Sequence, residues 1–261
     1  MLSAVVLTKN EEKHVVDCLE SISFCDEIIV VDDYSEDRTV DIVEGIENKN
    51  IKVYKRKLAN DFSAQRNFGL SKAKGDWVLF VDVDERVTTS LREEISEACL
   101  LLSQNVAQSI SNPVNQYVGF YIKRRDFMWG RLLRYGEAGN IKLLRLAKRN
   151  TGTWMGKVHE VWKIQGSVGE LTNALVHYPH PTITDFLSEI NKYTTVRADE
   201  LYEKGIRAHW WSVIVYPKAK FFTNYILKLG FLDGIPGLLV AILMSFHSFL
   251  VRSKLWLLWR R

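Results

Sequence analysis

The sequence predicts an α/β protein with a mostly parallel central sheet, continued by a helical, membrane-associating C-terminal extension. Three observations carry that expectation. Short, continuous apolar runs recur through the first hundred positions with helical stretches between them, as in parallel strands covered on both faces. Three of those runs end in polar residues, where open parallel sheets bind their ligands. The last part of the chain turns apolar, aromatic and basic, which separates it from the body before it.

Each element follows from its local pattern. Ala4–Leu7 reads as a buried strand, and Asn10 is placed to cap a helix through about Ser23, with Glu11 and Glu12 favourable to its dipole. Glu27–Val31 is a second strand, followed by a helix from about Asp37 to Glu44 and a strand over Ile51–Tyr54. A helix over Phe62–Ala73 stops at Gly75, and Trp77–Val81 is a further buried strand, followed by a helix over Thr89–Leu102. Residues 103–116 are polar without a period and read as a loop. Strands follow at Tyr117–Lys123 and Ile141–Leu146, and a helix at about Thr184–Lys204 leads to the tail. The division expected is 1–180 for the catalytic domain, with halves 1–102 and 117–180, and 181–261 for the extension.

With 261 residues, 47% hydrophobic and 25% charged, the chain has the composition of a globular protein and excludes disordered, collagenous and coiled-coil classes. Cys18, Cys25 and Cys99 have no metal-binding spacing and suit a reducing compartment. Lys9, Glu11, Glu12 and Lys13 arrive too early for a cleaved secretion signal. The net charge is +4, yet Lys218, Lys220, Lys228, Arg252, Lys254, Arg260 and Arg261 face only Asp233 in the tail, leaving the rest at −2. That asymmetry points the tail at an anionic surface. Its basic residues interleave with apolar ones instead of forming a polar stripe, so nucleic acid is not an expected partner.

Gly234–Val251 carries no charge and would span about 27 Å as a helix. Leu239, Ile242, Leu243, Phe246 and Phe249/Leu250 make an apolar face; Ala241, Ser245, Ser248 and Arg252 make a small or polar one. With Trp256 and Trp259 beside Arg260 and Arg261, the pattern favours a helix lying in a bilayer interface over a packed core helix or a true span.

No dinucleotide or P-loop fingerprint is present, so nucleotide phosphates need another device. Asp82-Val83-Asp84, at the end of a strand, can supply one, since Mg²⁺ or Mn²⁺ takes one or two carboxylates beside phosphate oxygens. The plainer alternative is a pair of solvated turn aspartates. Asp32-Asp33 can accept hydrogen bonds from a nucleoside, while Ser35 or Asp37 can equally cap the next helix.

Val5–Glu11, Ile29–Thr39, Ala64–Gly69 and Val81–Glu85 stand in the order and spacing of family 2 glycosyltransferases, which the chain resembles over about residues 4–90. The resemblance implies a GT-A fold, a nucleotide-sugar donor and inversion at the sugar. Thr8, Asn10, Glu11 and Asp33 would hold the nucleoside with Asp32 nearby, and Arg66 would approach the donor phosphates or sugar. Asp82 would contact ribose or metal and Asp84 would bind the metal. Gly152–Glu160, His177-Tyr178 and Lys228–Gly234 look like a bacterial subgroup that resembles the β-1,4-glucosyltransferases of lipopolysaccharide inner-core synthesis. That implies UDP-glucose as donor and a lipid-linked glycan as acceptor, on the cytoplasmic face of the bacterial inner membrane. Transfer to a polyprenyl-phosphate or to a capsule or exopolysaccharide precursor, and a non-catalytic nucleotide-binding membrane adaptor, are the alternatives.

Inversion by single displacement needs one general base. Glu160 is the candidate, outside the acidic strand ends and preceded by the Gly152/Gly156-flanked segment, with an exposed Glu on a strand end as the plainer alternative; Asp126 is held in reserve. His159 could join the metal or the diphosphate, or be structural. Trp154 could stack on a sugar or pack. Arg124, Arg125 and Arg145 could meet acceptor phosphates or be solvated.

Overall fold

A computed structural model describes residues 1–103, 117–156, 160–179 and 182–260. His159, and the expected loop from 104 to 116, lie outside the described residues. The chain divides into two units, 1–124 with 142–177, and 125–141 with 178–261.

In the first unit, β1 (Leu2–Thr8) pairs in parallel with β2 (Glu27–Asp32) on one side and β4 (Trp77–Asp82) on the other, and β3 (Ile51–Lys55) extends the parallel set beyond β2. The order β3-β2-β1-β4 continues antiparallel through β8 (Ile141–Lys148) and then β6 (Tyr117–Met128), β11 (Ser167–His177) and β5 (Glu85–Val87). Sequential strands leave β1 in both directions, so the crevice between the ends of β1 and β4 is a switch point of the kind that binds ligands. A separate hairpin joins β9 (Gly152–Met155) to β10 (Val161–Ile164).

Alternation places the two faces of the sheet in two cores. Ala4, Val6, Ile28, Val30, Leu79 and Val81 face α1 (Val15–Ser21) and α4 (Thr89–Ser103). Val5, Ile29, Val31, Val78 and Phe80 belong to the other core, with Leu70 of α3 (Phe62–Lys72) and with Trp154 and Trp162 of the β9–β10 hairpin. The helix α3 is capped by Asp61, whose carboxylate accepts from Ala64 N at 2.8 Å. It lies so close to β1 that a Cβ on Gly69 would collide with Val5 Cγ1 and touch Val31.

The helix expected from Asn10 begins only at Val15, because Asn10 does not cap it. Asn10 sits at φ 55°, its N–H donates to Ser35 Oγ at 2.8 Å and its Oδ1 accepts from Glu36 N at 2.8 Å. The side chain joins the β1 and β2 ends instead of the helix. Neither Ser35 nor Asp37 is the N-cap of α2 (Thr39–Glu44); Arg38 holds that place, while Asp37 Oδ1 accepts from Thr39 N at 3.0 Å.

The second unit holds β7 (Arg131–Leu132), joined to the end of β6 through Trp129 and Gly130, both at positive φ, and three helices: α5 (Ile183–Glu203), α6 (Trp210–Phe222) and α7 (Gly234–Leu258). It therefore takes residues 125–141 as well as the expected extension. The link is Asp233, 2% exposed, which accepts from Arg134 N and Tyr135 N at 3.0 and 2.9 Å. Met128, Leu133 and Ala138 pack with Val240 beside it.

At 25 residues, α7 is longer than the 18-residue uncharged run, about 37 Å. Its small face is partly covered: Ala241 is buried and Ser245 Oγ donates to Pro217 O of α6 at 2.8 Å, while Ser248 and Arg252 are half-buried. Small side chains let α6 approach closely, and Ile242, Phe246 and Phe249 are left exposed at 48, 41 and 39%. Gly230–Leu258 is long and apolar enough to cross a membrane by length and composition, and little of it is buried.

Gly69→Ala should lower the unfolding free energy by about 1–3 kcal/mol, read from the midpoint in urea. An unchanged midpoint would contradict the tight α3–β1 contact.

Candidate functional site

The register levels the ends of β1, β2 and β4: Thr8 stands beside Asp32, and Leu7 beside Asp82. Thr8 Oγ1 is buried there with no hydrogen-bond partner among the described residues. Asp32 is fully buried and its Oδ2 accepts from Ser35 N at 2.9 Å, which spends it on the turn. Asp33 accepts from Lys9 Nζ and from Leu58 N, both at 2.8 Å. Those donors outweigh the penalty of its burial and hold its carboxyl below the usual range. Asn10 and Glu11 complete this cluster; the Glu11 N–H donates to Thr39 Oγ1 at 2.7 Å.

Asp82 and Asp84 divide their work. Asp82 Oδ1 accepts from Arg66 Nη2 at 2.9 Å, and Oδ2 is bound by Arg145 Nη2. Burial opposes its ionisation, but Arg145 and Arg66 prevail and hold the carboxyl far below its usual range. Both oxygens are thus occupied by arginine, which does not suit the expected contact with ribose or metal. Asp84 sits on the other side of the turn, with Oδ2 at 3.1 Å from His177 Nε2. The pairing of β11 with β5 brings His177 there, opposite Glu85.

Asp84 and His177 fit a hard divalent cation. Their 3.1 Å separation matches the edge between two adjacent ligands of an octahedron with bonds of about 2.1 Å. Among the described residues no group of three or more His, Cys, Asp or Glu encloses a metal. An open set of that kind suits Mg²⁺ or Mn²⁺ shared with substrate oxygens. Glu11 borders the same place: burial, then the charges of Asp84 and Asp37, raise its carboxyl to about 7.

On the other side of Asp82, Arg66 Nε donates to Glu160 Oε1 at 3.1 Å. The guanidinium lies 4.7 Å over the Trp154 ring and 5.8 Å from that of Phe80. Trp154 is 6% exposed, stacked on Trp162 and edge-on to Phe80, so it packs and holds Arg66 and offers no open sugar platform. Arg66, Asp82, Arg145 and Glu160 line one cavity of about 500 Å³ with Tyr121, Arg124 and Lys142. Tyr121, 42% exposed, is the aromatic ring open to a ligand there. A larger groove of about 850 Å³, lined by Asn67, Ser71, Arg149, Thr153 and Lys163 among others, has no carboxylate among the described residues that line it.

Arg145 is not a solvated surface arginine. It is 3% exposed, bonded to Asp82 and, at 3.0 Å, to Glu85 Oε1; Glu85 is itself fully buried. An arginine inside the apolar run Leu143-Leu144-Arg145-Leu146-Ala147 was the sequence signal for such a pair, because a charge in a buried strand needs a partner. His177 had no comparable signal, since only strand pairing brings it to Asp84. Asp126 and Arg125 belong to the second unit.

The family model described as "Glycosyl transferase family 2" matches residues 3–153. A lipopolysaccharide core biosynthesis glycosyltransferase, LpsC of Rhizobium meliloti (strain 1021), is 28% identical over 98% of this chain and 92% of its own length. An uncharacterized glycosyltransferase of Rickettsia conorii is 26% identical over 97% of this chain and 89% of its own. Among solved structures, S. aureus TarS 1–349 in complex with UDP-GlcNAc aligns with a TM-score of 0.49 at 18% identity, over 95% of this chain and 81% of that one.

The raised Glu11 carboxyl makes the folded state bind a proton that the unfolded chain has released between about pH 4.5 and 7, so stability falls as pH rises through that window. Glu11→Gln should therefore stabilise the protein at pH 8, by about 1 kcal/mol after allowing for solvent, and leave it unchanged at pH 5. Thermal melts at the two pH values check this.

Proposed function

We propose a hexosyl transfer for this chain, which belongs to glycosyl transferase family 2 and is an inverting glycosyltransferase of GT-A fold: glucose moves from UDP-glucose to a lipid-linked glycan of the lipopolysaccharide inner core. The observation that carries the chemistry is the cavity in which Glu160 stands beside Arg66 and Asp82. The named function of the Rhizobium relative supports the acceptor class.

Inversion requires the acceptor hydroxyl to attack the sugar carbon from the face opposite the leaving diphosphate. Glu160 takes the hydroxyl proton, and its Oε1 is fixed by Arg66 for that purpose. Thr8, with its unpartnered hydroxyl, and Asp33 contact the nucleoside at the β1 and β2 ends. Asp32 and Asn10 hold the backbone that places them. Asp84 and His177 hold Mn²⁺ or Mg²⁺, which when bound supplies Lewis-acid stabilisation of the leaving group's charge.

The second unit keeps the enzyme on an anionic membrane, peripherally and on the cytoplasmic face. Trp210, Trp211, Ile214 and Val215 of α6 and Ile242, Phe246 and Phe249 of α7 are exposed apolar residues, and Lys218 and Lys228 lie exposed in the same segment.

Release of nucleoside diphosphate, measured against UDP- and GDP-sugars with Mn²⁺ and a lipid A–core acceptor fraction, tests the reaction. UDP-glucose should be the substrate turned over. Glu160→Gln should lose at least about 10²-fold in kcat, and Asp84→Asn should abolish metal-dependent turnover at a nearly unchanged melting temperature. Full activity of either variant would remove the role given to that residue. For the membrane, Phe246→Ser with Phe249→Ser should reduce co-sedimentation with vesicles containing phosphatidylglycerol. Undiminished binding would contradict the assignment of that face.

A further inference from the structure

Five charged side chains form a continuous ladder of alternating sign: Glu85, Arg145, Asp82, Arg66 and Glu160. Its links measure 3.0 Å from Arg145 to Glu85, 2.9 Å from Arg66 to Asp82 and 3.1 Å from Arg66 to Glu160, and Arg145 also binds Asp82 Oδ2. The members come from β5, β8, β4, α3 and the residue before β10; Glu85 also accepts from Asp82 N at 3.0 Å, three residues away, while Arg145, Arg66 and Glu160 are joined to the ladder from distant parts of the chain. Three members are buried and two reach the cavity. Glu85, Arg145 and Arg66 are 0, 3 and 5% exposed, and the Asp82 and Glu160 side chains, which face the cavity, are 28 and 16% exposed.

The direction of each link is fixed by the one before it. A guanidinium is a planar fork, so the place of one nitrogen determines the place of the others. The Arg66 guanidinium carbon lies 4.7 Å over the Trp154 ring, and its Nη2 is held by Asp82 Oδ1 at 2.9 Å. Its Nε then points in a single direction, at Glu160 Oε1. Asp82 can set that rotation only if its own carboxylate is immobile, and the bond that immobilises its other oxygen comes from Arg145.

We propose that Arg145 is a positioning residue for the transfer reaction, acting through Asp82 and Arg66 to aim the Glu160 carboxylate at the acceptor hydroxyl. The proposal rests on the reading of Glu160 as the base. Arg145 lies two side chains away from it, and both oxygens it binds in the ladder belong to the protein's own carboxylates, Asp82 and Glu85. Losing Arg145 therefore affects the attack step and leaves donor affinity in place.

The test must separate aim from folding, because removing Arg145 alone strands two buried carboxylates. The double variant Arg145→Met/Glu85→Gln removes one charge of each sign, and the amide introduced at position 85 can still accept from Asp82 N. It is to be compared with wild type in three measurements: thermal unfolding, UDP-glucose kinetics with Mn²⁺ and the lipid A–core fraction, and solvent exchange of the Arg66 Nε–H signal by NMR, assigned with Arg66→Lys. We expect cooperative unfolding, a UDP-glucose KM within about twofold, kcat lower by about 10²-fold, and loss of exchange protection at Arg66 Nε–H. A folded variant with wild-type kcat, or with Arg66 still protected, overturns the proposal. If the double variant does not fold, Arg145→Lys, which keeps the charge without the fork, replaces it, with about a tenfold loss in kcat expected and an unchanged kcat overturning the proposal. An active Glu160→Gln enzyme would instead sink the reading of the base, and the Arg66 signal would still report whether the ladder sets the geometry.

Discussion

A carboxylate with an arginine on each oxygen is the constraint around which the catalytic unit is arranged. Asp82 ends strand β4, and its two partners come from different elements, Arg66 from α3 and Arg145 from the neighbouring strand β8. Breaking a buried ion pair from one side costs about 3–5 kcal/mol, because the surviving charge is left without compensation. The clasp therefore resists rearrangement, and it joins the parallel half of the sheet to the antiparallel half at the level where the ligand crevice opens. Glu160, just before β10, is tied to it through Arg66 Nε at 3.1 Å.

The consequence is a division of labour within Asp82-Val83-Asp84. Adjacent strand-end acids look equivalent in a sequence, and either could address a cation. The turn separates them: β4 ends at Asp82, which faces the arginines and the cavity, and Asp84 lies in the turn before β5, beside His177 and Glu11. The first organises two arginines, and the second pairs with His177.

The parallel strands and their polar ends were legible in the sequence because each depends on local pattern: apolar runs such as Ile28–Val31 and Val78–Val81 can be read without knowing what covers them. What was not legible depends on partners far along the chain. Asn10 has the residue type of a helix cap, yet Ser35 and Glu36 compete for its backbone and side chain and win. The short strand β5 has no pattern of its own and exists because β11 pairs with it, which is also what delivers His177. In α7 the two faces are legible as faces, but what covers the small one is not. Small residues suit close approach to α6, so Ala241 and Ser245 turn towards it and Ile242, Phe246 and Phe249 are exposed, while Leu243 of the expected apolar face is buried.

The most direct measurement of the central claim is a crystal structure with UDP and Mn²⁺, phased to show the anomalous scattering of the metal. The account predicts one Mn²⁺ peak at about 2.1 Å from an Asp84 oxygen, with Asp82 still clasped by Arg66 and Arg145. A metal ion bound directly by Asp82, with either arginine displaced, would contradict it.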